Sequence, residues 1–408
     1  MRHLSSGRTA LLWLLIPALA VGLSGCGDGD PDPGTPASSA STGAEGGSGG
    51  ATSASSGGAG GAGGHAGGGG APDACALHGA AMQEALEEGW QDAGTPGAVL
   101  AVSTPACGLW LGAVGISTED EALRADQVMR IGSVTKTFVA TAILQLVEEG
   151  QLALDDATSD WVEGVPGGEA ITLRMLLSHR SGIFNYTDDP AFWTTALGEP
   201  DKKWTPAELV AFAVAEPPLF APDADFSYSN TNYILLGMVA EAASGQELGA
   251  LVRQRFLDPL ALDSTSFDGL EPVAGELAHG YLTNGDDATH FLDPSWAWAA
   301  GAIVSDVGDL VHWAEQLYGG DVLSPEMREA MVTPLGYLAP GNGYGLGAII
   351  VEQPASPVTA YGHAGDIQGY HTHVFYMPDQ QAAFAAVTNG DDDTPNPITA
   401  RVITLLAE

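Results

Sequence analysis

Two periodicities divide the chain. ALHGAAMQEALEEGW, residues 76–90, reads as an opening helix. GAVLAVST (97–104) and GLWLGAVG (108–115) are short apolar or alternating runs bounded by glycine and proline, the mark of a strand hairpin. In VTKTFVATAILQLVEEGQL (134–152) the apolar positions recur every three to four residues up to a stop at Gly150, which predicts a helix. ITLRMLLSHRSG (171–182) and NTNYILLGMVAEAASG (230–245) predict two more. After Gly343 the strand pattern returns in GYGLGAIIVEQ, HTHVFYMP and AAFAAVTN. Strands at both ends around a long helical middle predict an α/β (α+β) domain, an antiparallel sheet flanked by helices, with an all-helical subdomain inserted at about 150–300.

Ahead of this domain the pattern changes twice. Arg2 and Arg8 precede LLWLLIPALAVGL (Leu11–Leu23), an apolar run interrupted by Pro17, too short to span a bilayer as a helix and suited to an export signal. It ends in Leu23-Ser24-Gly25-Cys26, which resembles the bacterial lipobox. That resemblance implies a signal peptide over 1–25, lipidation of Cys26 and export to the cell envelope, facing the periplasm or the cell surface. An ordinary secretory signal with an incidental cysteine is the alternative. From Gly27 to Pro72 glycine, alanine, serine and proline dominate. Such a segment cannot bury apolar surface and reads as a tether (26–72) with a random-coil reach of roughly 35–40 Å. The folded part is therefore 73–408. With Cys26 lipidated, the other two cysteines, Cys75 and Cys107, either pair as a disulfide in an oxidising compartment or remain free thiols.

A formal net charge of -38 repels phosphate backbones, so no nucleic-acid partner is expected, and the bland meaning of the charge is a well-solvated surface. Against that background lysine is scarce. One of only three lysines, Lys136, stands three residues after Ser133 where the strand pattern becomes helical. Residues three apart share a helix face. A lysine that burial makes partly neutral can take the proton from a serine hydroxyl, which is otherwise a poor nucleophile. The plain alternative is a solvated helix lysine. In FSYSNTNY (226–233), Tyr228 and Asn230 would point to one side of an extended turn and offer a phenol and a carboxamide to a reacting group. Alternatively, Tyr228 fills the core and Asn230 caps the next helix. His363, before Gly365 in YGHAGDIQGY, could offer a cation or donor to a substrate lying along a strand edge.

Taken in order, these motifs resemble the serine β-lactamase and penicillin-recognising enzyme family, with class C β-lactamases, D-Ala-D-Ala carboxypeptidases and family VIII-type esterases as nearest members. The resemblance runs from about Val99 to Ala407 and rests on RIGSVTKTF, ITLRMLLSHRSGI, FSYSNTNYILLGMVAE, GYGLG and GHAGDIQGY. It implies a β-lactamase/DD-peptidase-like fold, Ser133 as the acylated nucleophile, Lys136 as its base and Tyr228 as a second proton carrier. It places Asn230 and the His363–Gly365 segment against the substrate, and the backbone N–H groups of Ser133 and Asp366 in the oxyanion hole. It implies neither metal nor organic cofactor.

The chain departs from that pattern where many β-lactamases read Lys-Thr-Gly and this sequence reads His363-Ala364-Gly365. The lost threonine hydroxyl is worth about 1.5–3 kcal/mol of hydrogen bonding to a charged group. Asp366, if turned inward, would repel a substrate carboxylate. The expected activity is therefore hydrolysis of an amide or ester, carboxypeptidase-like or esterase/amidase, by a monomer. The alternatives are a true β-lactamase or a non-catalytic envelope lipoprotein that binds peptidoglycan stems. His371 and His373 share a strand face without completing a zinc set. Gly46–Gly50 spells G-x-S-x-G inside the tether, outside the strand-to-helix setting that chemistry needs.

Overall fold

The computed structural model describes residues 74–353, 358–391 and 394–408. Residues 1–73, and with them the signal, Cys26 and the tether, lie outside the described residues. Helix α1 (Ala74–Ala93) leads into the hairpin β1 (Gly97–Thr104) and β2 (Gly108–Thr118), then the short strands β3 (Glu121–Ala122) and β4 (Met129–Arg130). Helix α2 (Thr135–Glu148) opens the helical middle. It continues as α3 (Leu173–Leu177), α4 (Pro190–Gly198), α5 (Pro206–Val214), α6 (Asn230–Ser244), α7 (Leu248–Val252) and α8 (Trp298–Gly301). Two short strands, β5 (Ser266–Phe267) and β6 (Ile303–Ser305), interrupt or close it, so the middle is not wholly helical. Helices α9 (Val307–Ala314) and α10 (Pro325–Met331) follow. Strands β7 (Gly336–Ala339), β8 (Asn342–Tyr344), β9 (Ile349–Gln353), β10 (Val358–Ile367), β11 (Tyr370–Met377) and β12 (Ala382–Thr388) then lead to α11 (Asn396–Ala407).

Nine strands make one antiparallel sheet in the order β3-β2-β1-β12-β11-β10-β9-β8-β7. The first strand thus pairs with the last, Leu100 opposite Ala386. Period-two alternation sorts β1 between two layers. Ala98, Leu100 and Val102 pack with Met82, Leu86, Ile398 and Val402 of α1 and α11, while Val99 and Ala101 face the core containing Phe138, Leu310 and Val311. Because both faces are covered, β1 is buried along nearly all its length and carries an almost unbroken apolar run. The antiparallel sheet flanked by helices expected from the sequence is what the chain forms. Cys75 and Cys107 are joined as a disulfide, with Cα atoms 5.3 Å apart, which fastens the start of α1 to the β1–β2 turn.

The predicted helix over 171–182 is cut short. Thr172 caps α3 through its side chain, but the helix ends at Leu177 and His179 adopts a φ of 57°. That left-handed backbone lets the chain turn back under the 226–229 segment: His179 O accepts from Ser227 N at 3.0 Å.

Candidate active site

Ser133 sits in the turn Gly132–Val134 that feeds α2, and β10 crosses directly against it. Two glycines make that crossing sterically feasible. A Cβ on Gly132, whose φ is +49°, would stand 2.8 Å from the Asp366 amide nitrogen. One on Gly365 would stand 1.9 Å from Ile131 O and 3.0 Å from the Ser133 nitrogen. The backbone amides of Ser133 and Asp366 are thereby gathered at one place.

Lys136 is fully buried one helical turn beyond Ser133. Its Nζ donates to Asn230 Oδ1 at 2.8 Å, to Ala300 O at 2.7 Å and to Ser133 Oγ at 2.8 Å. Two of these partners are a carboxamide oxygen and a backbone carbonyl, which can only accept. They hold two N–H bonds, and the remaining position on nitrogen points at the serine. Burial drives the lysine pKa well below its ordinary value, with Asp366 opposing. When the amine is neutral, its lone pair faces the Ser133 hydroxyl.

Tyr228 closes the other side. Its ring lies 5.0 Å from Lys136 Nζ, and its phenol interacts with the Ser133 side chain. Burial raises the phenol well above its ordinary value, with the Ser133 hydrogen bond opposing, so it carries its proton at neutral pH. Ser229 is the N-cap residue of α6, which leaves the Asn230 side chain for the site. Asn230 Nδ2 donates to Thr187 Oγ1 at 3.1 Å, and its backbone N–H donates to Asn185 Oδ1 at 3.0 Å.

His363 stands elsewhere than its motif suggested. The ring is fully buried, 6.4 Å from the Tyr228 ring, and is not among the residues lining the pocket beside Ser133. Its Nδ1 lies 2.5 Å from the Ala364 carbonyl, an acceptor, so Nδ1 carries the proton and Nε2 accepts from Tyr344 OH at 3.0 Å. Burial, followed by the Lys136 charge, lowers its pKa to about 3, so it is neutral and offers a substrate neither charge nor donor. Gly365 serves by having no side chain. Asp366 borders a narrow pocket lined also by Ser133, Asn230, Tyr186, Trp296 and Ile367, while its carboxylate pairs with His371 Nδ1 at 2.5 Å on the neighbouring strand β11. Tyr186 and Trp296 line the pocket, whereas Trp298 packs against Gly237.

Sequence reading missed the residues that hold these groups in place. His179 Nδ1 accepts from Ser229 N and faces Asn232 Nδ2, both at 3.2 Å, and its ring lies 4.1 Å from that of Tyr228. Tyr344 fixes His363, and Asn185 and Thr187 fix Asn230.

The profile of the β-lactamase family matches residues 82–408. The chain belongs to that family. Among curated β-lactamase-family relatives, penicillin-binding protein 4* of Bacillus subtilis (strain 168) is 26% identical over 297 residues, 68% of this chain and 64% of its own length. The chain spans about half to three quarters of the curated relatives it matches, 53% to 74% of the first five. A solved D-stereospecific amidohydrolase from a Streptomyces species superposes with a TM-score of 0.71 at 35% identity, covering 78% of this chain and 97% of that one. The D-amino acid amidase from Ochrobactrum anthropi SV3, solved with L-phenylalanine amide, gives a TM-score of 0.72 at 26% identity, with 80% and 97% covered.

Proposed function

We propose that this β-lactamase-family chain hydrolyses an amide or ester through an acyl-enzyme on Ser133. The observation that carries the reading is the buried Lys136 amine, held by two fixed carbonyl oxygens so that its third position meets Ser133 Oγ at 2.8 Å. Lys136 takes the hydroxyl proton as Oγ bonds to the substrate carbonyl carbon. The oxyanion that forms is received by the Ser133 and Asp366 amides. Tyr228, protonated and beside Ser133, passes a proton to the departing amine or alcohol and recovers one from the lysine. Water then attacks the acyl carbonyl, the same groups run in reverse, and the acid leaves.

Within this class, an amidase or esterase acting on donors without a carboxylate ranks above a β-lactamase or a carboxypeptidase. Among the described residues, the pocket beside Ser133 is lined by no lysine, arginine or histidine, and the His363 imidazole is neutral behind it. The amidohydrolase and amidase named above support the same ranking.

Labelling by a fluorophosphonate tests the hydrolase reading. The wild-type protein is expected to take one adduct at Ser133, and Ser133→Ala to lose label and turnover by roughly 10³-fold or more. An unlabelled wild type would favour the non-catalytic binder. We also place the protein on a membrane through a lipidated Cys26, exported and monomeric. Cys26→Ser should move it from membrane to soluble fractions, and unchanged membrane association would refute the anchor.

A further inference from the structure

Past Gly362, strand β10 has a sheet neighbour on one side only. Strand β9 pairs with it from Val358 to Gly362, whereas β11 follows it as far as Ile367. Beyond Gly362 the other edge meets the turn that carries Ser133. The Asp366 amide, one of the two gathered beside Ser133, lies in this singly supported stretch. An oxyanion donor works only while it is aimed at the developing charge, so whatever else fixes the end of β10 bears on the reaction.

Alternation sends the Asp366 side chain to the face opposite Gly365, the face of Ala364 and, on β11, of His371 and His373. Asp366 and His371 stand directly opposite each other, with Asp366 Oδ1 2.5 Å from His371 Nδ1. His371 Nε2 lies 2.9 Å from Asp391 O, in the segment after β12, and Asp391 Oδ1 accepts from Gly369 N at 3.2 Å in the β10–β11 turn. Both imidazole nitrogens face oxygens that accept. Both bonds are made only when each nitrogen carries a proton, so His371 is a cation beside the Asp366 carboxylate. Burial lowers the His371 pKa, but its bonds to Asp366 and Asp391 outweigh that and leave it above 6.5. Of the other titratable groups near the pair, His373 bonds Thr399 Oγ1 of α11 at 2.9 Å and burial holds its pKa at about 4. His363 and Lys136 lie on the Gly365 face of β10. The charge matters as well as the tie. A carboxylate on the residue whose amide receives the oxyanion opposes the negative charge forming there, and the imidazolium offsets it.

We propose that His371 is a positioning residue for the oxyanion site: its imidazolium ties the end of β10 to the segment after β12, keeps the Asp366 amide aimed beside Ser133 and offsets the Asp366 carboxylate. This rests on the serine-hydrolase reading. His371 is not among the residues lining the pocket and acts through Asp366 alone.

The test uses the full-length protein and two esters, para-nitrophenyl acetate and its thiono analogue, in which sulfur replaces the carbonyl oxygen. Turnover is taken as the part that Ser133→Ala loses. Sulfur is the poorer hydrogen-bond acceptor, so the oxo-to-thiono rate ratio reads the oxyanion donors. Lysine ionisation and folded fraction affect both esters alike and cancel. In His371→Gln the ratio should fall by about 10-fold or more, part of the roughly 10²–10³ that outright loss of an oxyanion donor costs. In wild type the ratio should be highest at about pH 6 and fall as pH rises through the His371 pKa, where one of the two bonds must go and the carboxylate loses its counter-charge. His371→Gln should show no such fall. The wild-type pH arm needs no variant, so it reports even where His371→Gln does not fold. A wild-type ratio that stays level with pH, or a His371→Gln protein whose two rates drop together with the ratio unchanged, overturns the assignment while leaving the hydrolase intact. A wild type with no Ser133-dependent turnover of either ester defeats the hydrolase reading, and this assignment with it.

Discussion

Asp366 raises the pKa that burial lowers at Lys136, so one residue of the site sets the working range of another. The lysine activates Ser133 only when neutral. Labelling should therefore speed up as pH rises through a lysine pKa depressed below the ordinary 10.5, and then level off. In Asp366→Asn the raising charge is gone, the lysine pKa falls further, and the acid limb of the profile should move to lower pH. The second-order rate constant of fluorophosphonate labelling, followed across pH, checks this; a limb that stays put or moves up would contradict it. Ser133, Lys136, Tyr228 and Asn230 could be read from sequence because each pair is local, three or two residues apart along the chain. His179, Thr187 and Tyr344 could not, since they reach Tyr228, Asn230 and His363 only through packing of distant segments. The same blindness misled the reading of His363. Its neighbours in sequence suggest a substrate-facing cation, whereas burial and the Tyr344 hydroxyl decide otherwise.

At the scale of elements, the site depends on β10 lying flush against the turn before α2. Gly365→Ala puts a methyl 1.9 Å from Ile131 O, and the strand must withdraw. A displacement near 1 Å between reacting groups costs on the order of 10²-fold, so Ser133 labelling should fall by about that factor. Gly198→Ala, at the end of α4 with nothing within 4 Å of the added carbon, should label at the wild-type rate. Equal rates for the two variants would show that the crossing does not govern reactivity. The elements that carry this arrangement differ in how openly the sequence declares them. The β1–β2 hairpin, α2 and α6 follow from periodicity and glycine stops. In α11, Ile398, Thr399, Val402, Ile403 and Thr404 are β-branched and favour a strand in isolation; packing of Ile398 and Val402 with Met82 and Leu86 of α1 overrides that preference. The early end of α3 hangs on one left-handed residue, His179, a type that gives no glycine signal.

For the molecule as a whole, buried imidazoles couple stability to pH. Burial lowers His363 to about 3 and His373 to about 4 and holds His179 well below 6.5. All three are neutral when folded, while the unfolded chain takes up their protons below about pH 6.5. Their contribution is therefore complete above about pH 6.5 and is lost as pH falls, at His373 and His363 toward 4 and then 3 and by roughly 3 kcal/mol or more each. Denaturant midpoints should drop across that window, and His373→Gln should flatten the slope; a wild-type midpoint constant from pH 7 to 4 would contradict this. The sheet order carries a consequence of another kind, in time. β1 pairs with β12, and the turn bearing Ser133 is completed by β10. A ribosome therefore releases the nucleophile, its lysine and Tyr228 more than a hundred residues before the strand against which they work. Until those last strands have emerged and paired across the length of the chain, the nascent protein carries its reactive side chains without an oxyanion pocket. It crosses that interval chemically silent.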